Sequence, residues 1–248
     1  MKIGKPTDLL SGGACAFELP TTGLCARAAR TLLTDTMRAF NLPGALVEDA
    51  VVAVSEIATN AHRHARAAQA ADSVCAPELW IWTRSAPSPQ MVVSVYDADR
   101  STTPVASCAD LLEEHGKGLT IVAALSSDQG WHRSRSRLRA APAPGKCAWF
   151  ALALPANWPS VLHPVRPTDA ADRLRAALDV RGTNAARLLE AAGMTIVADE
   201  ISVQVTPCGF TWKNGDGELV RRPLSDLEDT AERLISQIES ANEVRPGP

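Results

Sequence analysis

The segment at residues 46–66 constrains the fold most, because its apolar residues recur at helical spacing over its whole length. Glu48 and Asp49 lie in the first turn, where acidic side chains suit the helix dipole. The apolar face consists of Leu46, Ala50, Ala53, Ile57 and Ala61. A separate polar stripe consists of Glu56, Asn60, Arg63 and His64. The pattern predicts a long helix that packs on a core through one face and carries polar groups on another.

Two interpretations of this polar stripe are open. It could be the solvated side of an amphipathic helix, which is a common arrangement. If it faces a cleft instead, it should hold a cation or a polar ligand, because a buried carboxylate and amide are costly without partners. Glutamate and asparagine oxygens suit Mg²⁺, which shares its remaining ligands with water and phosphates. The spacing of the residues alone does not decide between a solvated face and a ligand-binding face.

The segments around this helix alternate between strand and helix patterns. In order, we predict a strand at 13–19, a helix at 24–40, the helix at 46–66, a hairpin of 78–84 and 90–97, a helix after Gly118, and a hairpin of 131–139 and 146–154. Strands and helices therefore share one region of about 140 residues.

Two further features could take part in ligand binding. Asp97 ends the strand at 90–97, where its carboxylate could accept a hydrogen bond from an exocyclic amine such as that of adenine. It could equally be a turn-forming residue. Gly116, Lys117 and Gly118 precede a helix, and such a junction can present backbone N–H groups and a positive side chain to phosphate. A plain start of a helix is the alternative.

Taken together, residues 13–155 resemble the ATP-binding domain of the GHKL superfamily, and most of all its actinobacterial anti-sigma-factor-like branch related to serine kinases. SEIATNAHRHA is similar to the N-box SELVTNAxxHA of that branch, and VYDADRSTTP to its shortened adenine box. EHGKGLTIVAALSSDQGW is similar to GRGLxLVxxLxDxWG, and GKCAWFALAL to the closing strand GKxVWFEL. Each motif is weak alone, but their order along the chain is specific.

The resemblance implies a fold and a set of binding residues. The fold would be α/β, an α+β two-layer sandwich with a Bergerat-type mixed sheet and helices on one face. Asn60 would bind Mg²⁺, and Asp97 the adenine amino group. The triphosphate would lie against Gly116, Lys117, Gly118 and Leu119.

The resemblance also implies an activity, the transfer of the γ-phosphoryl group of ATP to a serine or threonine of a partner protein. Glu56 would orient or deprotonate the hydroxyl nucleophile. The partner would be a transcription-regulatory protein, either a sigma factor or one of the anti-anti-sigma type, and a homodimer is possible. A non-catalytic interaction module stabilised by nucleotide is the alternative, and a DNA-binding regulator is a less favoured third.

The stretch after Asp97 departs from the larger superfamily. Glycines follow the adenine-binding aspartate there, whereas this chain has Ala98 and Asp99. A side chain limits how closely the backbone can approach a nucleotide. Asp99 also adds a negative charge near the expected phosphate positions.

Prolines cluster near residues 157–167, which predicts a linker. We therefore divide the chain into an ATP-binding domain at 1–156, a linker at 157–167 and a small C-terminal α+β domain at 168–248. In the last of these, residues 168–192 suggest one broken or two short helices, residues 195–221 short strands, and residues 225–240 an amphipathic helix. Residues 161–248 contain ten Lys or Arg and fourteen Asp or Glu, so this region is acidic.

The whole chain has a formal net charge of −3, so no overall positive field favours nucleic acid or an anionic membrane. No basic leader or apolar run of membrane-spanning length is evident, which predicts a cytoplasmic protein without a membrane partner. The six cysteines are scattered and without a CxxC pair, so we expect reduced thiols.

One row of basic residues is regularly spaced. Arg133, Arg135, Arg137 and Arg139 alternate along a predicted strand. Such a row usually protects an exposed sheet edge by its charge. A docking patch for an acidic partner is the other interpretation.

Overall fold

The computed structural model describes residues 2–68, 75–102, 117–159, 165–190 and 193–244. The N-terminal part forms a six-stranded sheet. Its strands are β1 (Lys2–Ile3), β2 (Ala14–Glu18), β3 (Glu78–Arg84), β4 (Gln90–Asp97), β5 (Asp128–Arg135) and β6 (Pro144–Ala153). A short 3₁₀ helix, Pro6–Ser11, links the first two strands.

The strands of this sheet lie in the order β1-β2-β3-β4-β6-β5, and each neighbouring pair is antiparallel. The two hairpins predicted from the sequence, β3–β4 and β5–β6, are both present. The α+β sandwich is confirmed, but the expectation of a mixed sheet is wrong among these strands. Both hairpins impose antiparallel pairing, and β6 also pairs with β4 in an antiparallel arrangement.

Three helices accompany this sheet: α1 (Cys25–Arg38), α2 (Gly44–Ala68) and α3 (Lys117–Leu125). The apolar face predicted for α2 is confirmed, since Ala50, Ala53, Ile57 and Ala61 are buried. These side chains share one hydrophobic core with residues of β3, β4 and β6, such as Ile81. The polar stripe of α2 is held in place because its opposite side is fixed to the sheet.

The C-terminal part forms a second, five-stranded antiparallel sheet with its own core. Its elements are α4 (Pro167–Asp179), β7 (Ala186–Glu190), β8 (Gly193–Ala198), β9 (Ile201–Thr206), β10 (Gly209–Lys213), β11 (Leu219–Arg222) and α5 (Leu227–Val244). The helical interpretation of residues 168–192 is wrong in its second half. There the chain leaves α4 through Gly182, at φ +73°, and pairs as β7 with β8.

The face of the first sheet opposite α2 is covered by α5. Three of the four arginines in the basic row form ion pairs with this acidic helix. The pairs are Arg133–Glu243, Arg135–Glu239 and Arg137–Glu228. β5 is the edge strand of the sheet, as the first interpretation expects, but these three arginines pair with α5 and do not face solvent. The acidic partner is a helix of the same chain.

None of the helices in the described ranges combines the length and apolarity that a bilayer crossing requires. The described cysteines, Cys15, Cys25, Cys75, Cys147 and Cys208, are free thiols.

Candidate functional site

The polar stripe of α2 is half-buried at Glu56, Asn60 and His64 and exposed at Arg63. Glu56 and Asn60 make no side-chain hydrogen bond or ion pair with any other residue that the structure describes. Their oxygens are therefore available to a ligand. A half-buried, unpaired carboxylate one helical turn from a half-buried amide is the donor set expected for a hard cation.

The amino end of α3 lies against this stripe. A methyl group at the Cβ position of Gly118 would be 2.5 Å from Glu56 Oε2. Only a glycine lets the two helices approach with the carboxylate in this position. Because the amino end of a helix attracts negative charge, this location suits a carboxylate or a phosphate.

Asp97 lies at the end of β4 and is 4% exposed. Its Oδ1 accepts hydrogen bonds from Lys146 Nζ at 2.9 Å and from the Asp99 backbone N–H at 2.9 Å. Burial raises the pKa of Asp97 to about 6, although Lys146 acts in the opposite direction. Asp97 Oδ2 accepts no hydrogen bond from the described residues. That oxygen is the one with capacity for an exocyclic amine.

The loop after Asp97 is closed by the same lysine. Lys146 Nζ lies 3.1 Å from Asp99 Oδ2 and 2.6 Å from the Asp99 carbonyl oxygen. Although burial opposes it, hydrogen bonds from Ser101, Thr102 and Lys146 hold the pKa of Asp99 well below its usual range. The Asp99 carboxylate is therefore paired with Lys146, although that lysine is shared with Asp97 and so offsets only part of the negative charge near the expected phosphate positions.

The stripe of α2 reaches this loop through His64. Its Nδ1 lies 3.1 Å from Thr102 Oγ1 and 3.7 Å from Asp99 Oδ2. Burial and the Lys146 ammonium lower the pKa of His64, which favours a neutral imidazole.

The stripe therefore runs between the two other features singled out from the sequence. Glu56 contacts Gly118 at one end, and His64 contacts the loop that follows Asp97 at the other. Asn60 lies between them, one turn from each. Eight residues of helix span about 12 Å, so a ligand along α2 could reach both ends.

Part of the predicted triphosphate site lies outside the described residues. Gly116 is not among them, and of Lys117 only the backbone position in α3 is described. Leu119 is half-buried and packs against the core that α2 and the sheet share. The ligand roles of Asn60, Asp97 and Gly118 stay predictions.

The residues present suit a magnesium nucleotide in two respects. Asn60 offers an unpaired amide oxygen to the cation, and a triphosphate at the amino end of α3 would bring negative charge beside Glu56. A divalent cation between them would neutralise that charge.

Lys146 is a site residue that was not predicted from the sequence. It is 1% exposed and stands directly opposite Asp97 in the β4–β6 register. The available signal was a single lysine in GKCAWFALAL, an otherwise apolar strand. A lysine there needs a buried anion, because an unpaired charge is costly inside a protein.

Residues 22–140 match a family of known proteins described as the histidine kinase-like ATPase domain. The matched segment contains α1, α2, β3, β4, α3 and β5, and so includes the whole polar stripe. The match supports placing this segment among the GHKL-type ATPases, without distinguishing the branches of that superfamily. No curated protein matches the chain.

Proposed function

We propose that this chain, with a histidine kinase-like ATPase domain at residues 22–140, is a cytoplasmic Mg·ATP-binding regulatory protein that phosphorylates a serine or threonine of a transcription-regulatory partner. One observation carries the proposal. The unpaired oxygens of Glu56 and Asn60 lie on one stripe of α2, between the amino end of α3 and the loop after Asp97.

The proposed roles follow from the chemistry of each group. Asn60 would hold Mg²⁺, which supplies charge neutralisation to the phosphates when bound. Asp97 would accept the adenine amine through Oδ2. The backbone N–H groups at the start of α3 would face the triphosphate.

Glu56 is the proposed catalytic base. The partner hydroxyl oxygen forms a bond to the γ-phosphorus while the bond from that phosphorus to the β–γ bridging oxygen breaks. The hydroxyl proton passes to the Glu56 carboxylate, and ADP is the leaving group. Positioning and charge neutralisation supply most of the rate enhancement in reactions of this type.

A second candidate function is a non-catalytic interaction module whose shape nucleotide stabilises. The Asp97–Lys146–Asp99 cluster favours it, because Lys146 pairs with both carboxylates and so fixes the loop after Asp97 through groups of the chain itself. In this case the partner would be bound and sequestered but not modified.

We expect Glu56→Ala to leave Mg·ATP affinity within about threefold of the wild type and to abolish phosphoryl transfer. The reason is that a base acts on the hydroxyl and not on nucleotide affinity. Calorimetric titration measures binding, and transfer of label from γ-labelled ATP to a co-encoded candidate partner measures turnover.

Glu48→Ala is the matched control, since Glu48 is an exposed glutamate near the start of the same helix. It should retain both binding and transfer. Label on a partner serine or threonine with the wild type and Glu48→Ala, but not with Glu56→Ala, supports the kinase. A stable complex without label in wild type and both variants would favour the interaction module.

A further inference from the structure

A cavity of about 840 Å³ lies between the first sheet and the C-terminal part of the chain. It is on the face of the sheet opposite α2, so it is separate from the nucleotide site proposed above. One wall comes from β3, β4, β5 and β6, and the other from β10, β11 and α5. Its volume is typical of small-molecule sites, which often form where two structural units meet.

Indole rings dominate the lining of this cavity. Four of the six tryptophans in the chain contribute: Trp82, Trp131, Trp149 and Trp212. Trp82 and Trp212 are buried, whereas Trp131 is 38% exposed. Trp149 lies across the sheet from Gly130, where an added Cβ would be 3.1 Å from its ring. Flat aromatic surfaces of this kind favour a planar ligand that stacks.

Apart from the exposed Asp216, the charged groups in the lining already have ion-pair partners. Asp229 contacts Arg84 at 3.6 Å and Arg233 at 2.8 Å. Glu232 contacts His132 at 3.2 Å and forms a buried ion pair with Arg181. Arg84 also lies over the Trp149 ring at 5.4 Å. An anionic ligand would therefore find no unpaired cation among the described lining residues, and the one carboxylate without an ion pair, Asp216, is exposed.

One polar group in the lining has no partner. Trp82 is 2% exposed, and its Nε1–H makes no hydrogen bond within the described ranges. An unsatisfied buried donor costs on the order of 1–3 kcal/mol. Because this nitrogen has essentially no accessible surface, a ligand in the cavity would contact Trp82 through its ring and not through Nε1–H.

A metal ion is a poorer occupant of this region. Ligand atoms of His132, Cys147 and Glu232 lie within 4.8 Å of one another. However, Arg181 pairs with the Glu232 carboxylate, and burial raises the pKa of Cys147 well above its usual range. A protonated thiol and an adjacent guanidinium both oppose cation binding.

We infer that this cavity between the first sheet and the C-terminal part binds a neutral, planar aromatic or heteroaromatic small molecule that stacks on the indole rings. The site would be independent of ATP, and the ligand would bridge the first sheet and α5.

Two fluorescent probes that share a ring system test the inference. N-phenylnaphthylamine is neutral, whereas anilinonaphthalenesulfonate adds a negative charge. We expect the wild-type chain to bind one neutral probe with quenching of tryptophan fluorescence, and to bind the sulfonate at least about tenfold more weakly.

Ser236→Phe tests the location, because Ser236 is a half-buried α5 residue in the lining and a larger side chain there fills the cavity. It should weaken binding of the neutral probe at least about tenfold. Asn242→Phe, at an exposed α5 position outside the lining, is the matched control and should bind as wild type. Asn60→Ala should also bind the neutral probe normally, which separates this site from the nucleotide site.

Trp131→Ala provides a second variant if Ser236→Phe proves unstable. Trp131 is partly exposed, and its replacement by alanine removes one stacking surface. Absence of saturable binding of the neutral probe would overturn the inference. So would equal affinity for both probes, or binding that neither Ser236→Phe nor Trp131→Ala weakens.

Discussion

We expect Lys146→Met to lower the free energy of unfolding by about 3–5 kcal/mol, because it leaves two buried carboxylates without their cation. Lys146 is 1% exposed and pairs with Asp97 at 2.9 Å and Asp99 at 3.1 Å. Methionine has a similar length and keeps the apolar part of the side chain, so the loss of stability reflects the removal of the positive charge. Urea denaturation followed by circular dichroism measures it.

The loss should also depend on pH in a defined direction. Burial already raises the pKa of Asp97 to about 6, and removal of Lys146 raises it further. A carboxyl with a raised folded pKa binds more protons when folded, so stability falls as pH rises. The difference between wild type and variant should therefore be larger at about pH 8 than at about pH 5.

Two comparisons identify the source of the loss. Adding Asp99→Asn to Lys146→Met should restore part of the stability, because it removes one of the two buried carboxylates that lack a cation. Lys213→Met changes an exposed lysine and should stay within about 0.5 kcal/mol of wild type. Equal effects at Lys146 and Lys213 would contradict a buried charge cluster.

We expect Glu232→Gln to lower the free energy of unfolding by about 3–5 kcal/mol as well, because it leaves the buried guanidinium of Arg181 without its counter-charge. Glu232 and Arg181 are 2% and 1% exposed, and Arg181 also lies over the Trp80 ring at 4.4 Å. The pair joins α5 to the segment after α4 and to the first sheet. Loss of its charge should therefore loosen the contact between the two sheets.

Acid should reduce this contribution. Although burial opposes it, Arg181 and His132 hold the pKa of Glu232 well below its usual range. A carboxyl with a depressed folded pKa stabilises the fold above its unfolded pKa and loses that effect as pH falls. The difference between wild type and Glu232→Gln should thus be full near neutral pH and shrink below about pH 4.5.

Arg175→Gln is the control for this experiment, because Arg175 and Asp179 form an exposed ion pair within α4 at 3.0 Å. Exposed pairs contribute roughly 0–1 kcal/mol, so the variant should unfold almost as wild type does. A Glu232→Gln effect as small as this would mean that the two parts of the chain are not coupled through α5.

Local patterns in the sequence predicted much of the N-terminal part. Hairpins β3–β4 and β5–β6 follow from strand patterns on both sides of turn-rich segments, and α2 follows from apolar spacing. These elements depend on near neighbours in the chain, which is why their pattern is readable.

Long-range pairing was much harder to predict. Lys146 meets Asp97 across 49 residues, and Arg135 meets Glu239 across 104. The basic row and the acidic C-terminal region were both visible in the sequence, but charge alone does not tell whether the partner lies in the same chain. The strand β7 was misread as helix because ARLLE is compatible with either element, and its pairing with β8 decided the outcome.

Calorimetric titration of Mg·ATP into wild-type and Asn60→Ala protein tests the central claim most directly. We predict that the wild type binds one Mg·ATP, and that Asn60→Ala, or chelation of magnesium in the wild type, weakens binding at least about tenfold. Asn242→Ala, at an exposed position of α5, should bind as wild type does. Identical titration curves for wild type and Asn60→Ala would contradict a magnesium nucleotide site on the polar stripe of α2.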